Sequence, residues 1–182
     1  MNFVNKKNVK LNRLQILILY FFIFAFIGWC METLYAIYNL GFFVKRGFLY
    51  GPLCPIYGFG AVIMITFLGK YKRNSIKLFL YASILFSLFE YIAGFALDAL
   101  FSARWWDYTD EFFNLNGRIS IFYSFVWGII SLLFINFIYP FFKKHINVLI
   151  SKIPYIYSTL IINILTLILI FDFSFSCVKY LT

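Results

Sequence analysis

Carboxylates inside apolar stretches are the residues of this chain best suited to chemistry. Glu32, Glu90 and Asp98 each lie in a long hydrophobic run. A charged side chain at the centre of a bilayer costs a few kcal/mol unless it is paired, protonated or hydrated. Such residues predict a path for an ion or a polar substrate. Glu32 and Glu90 could instead hydrogen-bond a neighbouring helix and hold the fold, and Asp98 could be interfacial.

The carboxylates belong to stripes of small or polar residues at helical spacing. The three stripes are Ala25, Gly28, Glu32, Ala36 and Asn39; Ser83, Ser87, Glu90, Gly94 and Asp98; and Ser120, Ser124, Gly128 and Ser131. Because small residues let helix backbones approach closely, we expect these stripes to face one another. Arg118, at the start of the third stripe's helix, is expected to join Glu32 and Glu90 as the core of the site.

The composition indicates a chain whose main solvent is lipid. Of its 182 residues, 63% are hydrophobic and only 13% are charged. A soluble domain could not bury that much apolar surface. The net charge of +9 comes from short clusters between apolar runs, with no extended basic surface, so nucleic acid is not an expected partner. The expected partner is the lipid bilayer.

The sequence predicts an all-α fold, a polytopic membrane helical bundle of about five transmembrane helices. Residues 1–182 form a single integral membrane domain with spans near 14–40, 48–69, 76–101, 119–142 and 155–178. Glycines and prolines, including Pro52 and Pro55, break the start of helix two. We expect that start to be unwound or re-entrant.

Basic residues predict the orientation, because cytoplasmic loops carry an excess of Lys and Arg. The N-terminal tail and the segment 70–77 hold four each, and the predicted loop at 143–152 holds three. The opposite side holds five: Lys45, Arg46, Arg104, Arg118 and Lys179. The N-terminus is therefore expected in the cytoplasm and the C-terminus outside, for a multi-pass protein of a bacterial cytoplasmic membrane.

Two unusual stretches fall on the predicted outer side: residues 41–60, the outer segment, and residues 104–120, the outer loop. We expect them to fold over one another as a cap on an outward-facing cavity, because broken backbone at membrane depth is tolerated where it is buried or lines water. The alternative is an interfacial loop with its aromatic residues at headgroup level. The cap candidates are Arg46, Pro52, Pro55, Trp105, Trp106, Asp107 and Asn116.

Other chemistry finds no support in the sequence. There is no GxxxxGK[ST] phosphate loop, so the chain should not hydrolyse ATP alone. The only histidine, His145, falls in a predicted basic loop, and the three cysteines lack metal-ligand spacing. A Cys30 to Cys54 disulfide is one alternative, although a lone Cys in an apolar span is usually a small hydrophobe. We expect no metal, no cofactor and no enzyme activity.

Several motifs together resemble a known family, the type IV ABC-transporter membrane proteins, also called CmpB-like. The motifs are GWCMET at 28–33, GFLYGPLCPIYG at 47–58, Glu90 with Gly94, WWDY at 105–108 and NLNGR at 114–118. They are spread over residues 20–130, and the last helix contributes little. The resemblance implies a small multi-spanning bacterial membrane protein that acts as a permease component.

Two functional classes follow from these observations. The first is a transport-related, permease-like subunit in which Glu90 and Glu32 line a polar path. Five helices are few for a complete transporter, so this class favours a homo-oligomer or a partner ATP-binding subunit. The alternative is a membrane sensor or envelope-assembly protein, or an intramembrane enzyme acting on lipid-linked substrates at the outer face. The enzyme would require Asp, Glu and Arg residues around a lipid-sized groove.

Overall fold

Five helices make up the regular structure of the part that the computed structural model describes, residues 11–102 and 104–181. They are α1 Arg13–Leu40, α2 Pro55–Tyr71, α3 Ser75–Phe101, α4 Ile121–Lys152 and α5 Tyr155–Leu181. Helix α2 changes from an α-helix to a π-helical turn and then a 3₁₀ turn, and α4 contains a π-helical turn. The all-α class is confirmed. Four helices, all except α2, are long and apolar enough to cross a membrane.

Side chains at the helix starts explain why the helices begin where they do. Asn12 and Gln15 cap α1 reciprocally, each accepting from the other's backbone N–H at 2.8–2.9 Å. Asn74 caps α3 through the Lys77 amide at 2.9 Å, and Ser120 caps α4. These starts lie within two residues of the predicted ones. Membrane side and the number of crossings stay predictions, and Lys6, Lys7 and Lys10 lie outside the described residues.

Helix α4 is longer than the sequence predicted. The span expected to end at 142 continues to Lys152, so Lys143 and His145 lie on a helix instead of in a loop. Proline lacks the N–H of a regular helical hydrogen bond. Here the wider turn Phe134–Ile138 precedes Pro140, and the helix continues through it. The helix ends at Lys152, shortly before Pro154, because a proline disfavours helical geometry in the residue that precedes it.

The predicted break before helix two is present. Helix α1 ends at Gly41, whose φ of +78° suits the left-handed conformation that glycine adopts without a steric cost. Residues 42–54 are non-helical, and α2 begins at Pro55, where proline is compatible with a first turn. The amide of Cys54 donates to the carbonyl of Ala25 at 3.0 Å. This hydrogen bond therefore fixes the outer segment to α1 at the residue just before α2 begins.

The described chain divides into two compact units. The first contains residues 11–62 and 143–178, and the second contains residues 63–142 and 179–181. The core of the first unit is formed by Phe21, Phe22 and Ala25 of α1, with partly buried apolar residues around them. In the second, α3 buries Leu78, Ala82 and Phe86. The prediction of one domain over 1–182 stays a prediction.

Candidate functional site

Helices α3 and α4 of the second unit pack through their small-residue stripes. The hydroxyls of Ser87 and Ser124 are 2.5 Å apart. A Cβ added at Gly128 would lie 2.6 Å from the Ser83 hydroxyl, closer than real Cβ atoms come, so glycine is what permits this approach. The predicted pairing of these two stripes is confirmed. It places the polar residues of α3 beside α4 and beneath the outer loop that joins the two helices.

Glu90 is the buried carboxylate of this hairpin, with only 5% of its surface exposed. The hydroxyl of Tyr108, in the outer loop, donates to Glu90 Oε1 at 3.2 Å. The indole of Trp127 on α4 is a second donor to the carboxylate. Within the described part of the chain Oε2 has no hydrogen bond of ordinary geometry and no cation pairs with Glu90. The carboxylate thus has neutral donors and one buried oxygen, Oε2, without a hydrogen bond.

Arg118 is held two turns of α3 away, at Asp98. Its guanidinium nitrogen Nη2 lies 2.7 Å from Asp98 Oδ2, and only 16% of its side chain is exposed. The same guanidinium lies over the rings of Tyr91 and Phe95, at 5.7 and 5.5 Å from their centroids. A planar guanidinium suits both contacts, since it can pair with a carboxylate while it stacks on aromatic faces.

Charges of the outer loop extend this pair towards the surface. Arg104 lies 3.8 Å from Asp98 and 3.5 Å from Asp107. Asp107 also accepts from the hydroxyl and the backbone N–H of Thr109. The Thr109 hydrogen bonds, and to a smaller extent Arg104, hold the pKa of Asp107 below its ordinary value, because they stabilise the ionised carboxylate.

Two more hydrogen bonds order the outer loop, one within the loop and one from the loop to α3. The indole N–H of Trp106 donates to the carbonyl of Arg118 at 3.0 Å, and the Asn116 amide donates to the hydroxyl of Tyr91 at 3.1 Å. A small cavity beneath the loop has a volume of about 10 Å³, roughly the room that one water needs. Its lining residues are Gly94, Leu97, Arg104, Trp105, Trp106 and Arg118.

Glu32 belongs to the first unit and has a different partner. The Tyr57 hydroxyl of α2 donates to Glu32 Oε1 at 2.5 Å. A Cβ at Gly28 would overlap the Tyr57 ring, so this glycine makes room for the tyrosine against α1. Pro52 and half-buried Arg46 lie in the outer segment of the same unit. Cys30, Cys54 and Cys177 are free thiols.

The structure brings some predicted site residues together. Asp98 and Arg118 form an ion pair, and Glu90 lies on the same helix as Asp98 without pairing with Arg118. Glu32 is in the other unit, so a site containing Glu32, Glu90 and Arg118 stays a prediction. The outer segment and the outer loop also belong to different units, and their joint cap stays a prediction. No group of three metal-ligand side chains is found in residues 11–102 and 104–181.

Sequence reasoning missed the phenols and the indole that face the carboxylates. In the sequence, Tyr108 enters only with the aromatic residues of the outer loop and the WWDY motif, Tyr57 only within the motif at 47–58, and Trp127 not at all. The chain has 14 tyrosines, so the sequence does not indicate which of them contacts a carboxylate. The usable signal was the requirement that a carboxylate buried in an apolar span needs a hydrogen-bond donor.

The fold and the site define a polytopic helical membrane protein with a buried carboxylate in one of its long apolar helices. The chain belongs to the family described as "Putative ABC-transporter type IV", whose model matches residues 19–177. The match covers most of the chain, including α5, which contributed little to the resemblance of motifs. No curated protein and no solved structure matches the chain.

Proposed function

We propose that the chain is a permease-like subunit of a transporter in a bacterial cytoplasmic membrane, energised by a separate ATP-binding subunit. Membership of a family named for ABC transporters supports the partnership. The absence of a phosphate-binding loop from the sequence supports a division of labour in which the partner hydrolyses ATP. We also propose that the chain catalyses no reaction itself and assembles as a homo-oligomer within the complex.

The observation that carries the proposal is the state of Glu90. A carboxylate buried in an apolar span is costly to ionise without a cation beside it. Glu90 has two neutral donors, Tyr108 and Trp127, and a buried oxygen without a hydrogen bond. That arrangement suits reversible binding of a proton or of a cationic group in transit. A carboxylate with a purely structural role would be expected to have both oxygens hydrogen-bonded.

The enzyme alternative receives less support from the geometry. An enzyme acting on lipid-linked substrates would need a large groove beside the Asp98, Arg104 and Arg118 cluster. The cavity there has a volume of about 10 Å³, roughly one water molecule. Ligand pockets for larger molecules typically measure about 300–1,000 Å³.

Purification from native membranes tests the partnership. A tagged chain should retain a protein with a phosphate-binding loop at a fixed stoichiometry, and the complex should hydrolyse ATP. Glu90→Gln should retain the same partner, because Glu90 is buried inside the α3–α4 hairpin. A tagged chain that purifies with no such protein, from cells in which it restores a deletion phenotype, would contradict the proposal.

A further inference from the structure

An open apolar groove runs along α5 in the first unit. Its volume is about 470 Å³, and its lining residues are Tyr50, Ile168, Phe171, Asp172 and Phe175. The four α5 residues are spaced by three, one and three positions, so they share one face of the helix. The groove is open, so it would enclose a bound acyl chain only in part. Because α5 is long and apolar enough to span a membrane, lipid chains are the solvent available to this face.

The polar part of the groove lies at Asp172, between Phe171 and Phe175, and is firmly built. Asp172 accepts from the backbone N–H groups of Tyr50 and Gly51, each at 2.7 Å, and from the hydroxyl of Ser176 at 3.1 Å. Charge-assisted hydrogen bonds of this length are among the stronger ones in proteins. They hold the outer segment against α5, and the rings of Phe48 and Phe173, 5.6 Å apart, add to that contact.

Two opposite charges contact Tyr50, which lines the groove. The ammonium of Lys45 lies 4.5 Å from the centroid of the Tyr50 ring, while the Asp172 carboxylate is bound at the Tyr50 amide. Lys45 and Asp172 thus place a cation and an anion near Tyr50, which lines the groove, and such a pair complements a zwitterionic headgroup. Lys45 would face its phosphate and Asp172 its amine, with an acyl chain along Ile168 and Phe171.

The number of hydrogen-bond acceptor positions left on the Asp172 carboxylate determines which kind of headgroup amine can bind there. An ionised carboxylate offers about four acceptor positions. Three of them are used by Tyr50, Gly51 and Ser176. One position is left for an N–H donor, which a primary ammonium supplies and a quaternary ammonium does not. We propose that this groove is a binding site for a phospholipid with a primary amine headgroup, such as phosphatidylethanolamine. The site is independent of the proposed transport function.

Lipid retention by the purified full chain tests this proposal. The chain in mixed micelles with equimolar dioleoyl phosphatidylethanolamine, phosphatidylcholine and phosphatidylglycerol is separated by size exclusion, and bound lipid is measured by mass spectrometry. We expect about tenfold preferential retention of phosphatidylethanolamine, the effect of one charge-assisted hydrogen bond. In a series of mono-, di- and trimethylated headgroups, retention should fall most at the last step, where the final N–H is lost. Equal retention of the three lipids would overturn the proposal.

Two variants locate the effect. Lys45→Gln should reduce retention of all three lipids about tenfold, because each carries the phosphate that Lys45 would face. Lys70→Gln is the matched control, because its ammonium also lies over a tyrosine ring, Tyr71, at 4.9 Å, but away from the groove lining. Ile168→Trp should fill the groove and lower retention of all three lipids. Unchanged lipid retention in Lys45→Gln, or in Ile168→Trp, would show that lipid binds elsewhere.

Discussion

Tyr108 in the outer loop donates a hydrogen bond to Glu90, a carboxylate 18 residues earlier and buried within α3. The ring of Tyr108 also stacks on Tyr123 of α4, with centroids 4.1 Å apart. One loop residue thus contacts both helices of the hairpin and its buried acid. Movement of the outer loop would therefore alter the surroundings of Glu90 directly.

Glu90→Gln should abolish function without unfolding the protein. Glutamine preserves the shape of the side chain and its acceptor for Tyr108, but it cannot bind a proton or a cation as a carboxylate does. We expect normal membrane abundance and thermal stability, with failure to complement a deletion strain. Asp110→Asn, at an exposed carboxylate of the same loop, is the control and should complement. Full complementation by Glu90→Gln would return Glu90 to a packing role.

Asp98 and Arg118 should behave as a coupled pair. Asp98→Asn or Arg118→Gln alone leaves a mostly buried charge without its partner, which is costly. The double variant removes both charges, so it should lose less thermal stability than the sum of the two single losses. Coupling of about 0.5–3 kcal/mol is usual for residues in direct contact. Additive shifts in melting temperature would show that the pair contributes little.

Gly58→Ala should destabilise the first unit. An added Cβ would lie 2.7 Å from the carbonyl oxygen of Phe21 and 2.6 Å from its ring, and a backbone oxygen cannot move aside easily. Overpacking of this kind costs about 1–3 kcal/mol. Gly69→Ala is the control, because nothing lies within 4 Å of its added Cβ and alanine favours helix. Equal melting temperatures for the two variants would contradict the packing of α2 on α1.

Acid should loosen the outer loop through Asp107. Its pKa is lowered in the folded protein, so its ionised form stabilises the loop. That contribution is complete above the ordinary pKa of Asp, about 3.9, and is lost as the pH falls through the lowered value. Fluorescence of Trp105 and Trp106 should report a change below pH of about 4. In Asp107→Asn this fluorescence change should be absent. A fluorescence change that persists in the variant would show that another group causes it.

Reporter fusions should place the C-terminus outside and the turn at residues 72–74 inside. This result requires α2 to cross the membrane, although its 17 residues make it shorter than the other helices. If α2 does not cross, the two fusions should report other sides than those predicted. Activity of a periplasmic reporter after Thr182, together with its inactivity after Asn74, would support five crossings.

The elements of this fold were predictable because each is a long apolar run with a polar start. Asn74 and Ser120 stand just before such runs, so the starts of α3 and α4 were close to expectation. The end of α4 was not predictable in the same way. Pro140 and the lysines after it resemble a helix end, whereas the structure has a π-helical turn just before Pro140 and a helix that continues to Lys152.

The site was predictable in its acids and less so in their partners. Glu90 had to be inside a helical bundle because lipid penalises its charge. The ion pair of Asp98 with Arg118 depends on how the outer loop returns over α3. Spacing in sequence does not determine that return. It is set by contacts such as the Trp106 indole with the Arg118 carbonyl, which need the folded loop.

The continuation of α4 through Pro140 gives that helix an excess of length. Its 32 residues correspond to about 48 Å at 1.5 Å per residue, whereas a hydrocarbon core is about 30 Å thick. The added length, residues 143–152, carries Lys143, Lys144, His145 and Lys152, which lipid chains would not solvate. This end of α4 should therefore extend beyond the hydrocarbon core, where its lysines can meet anionic headgroups.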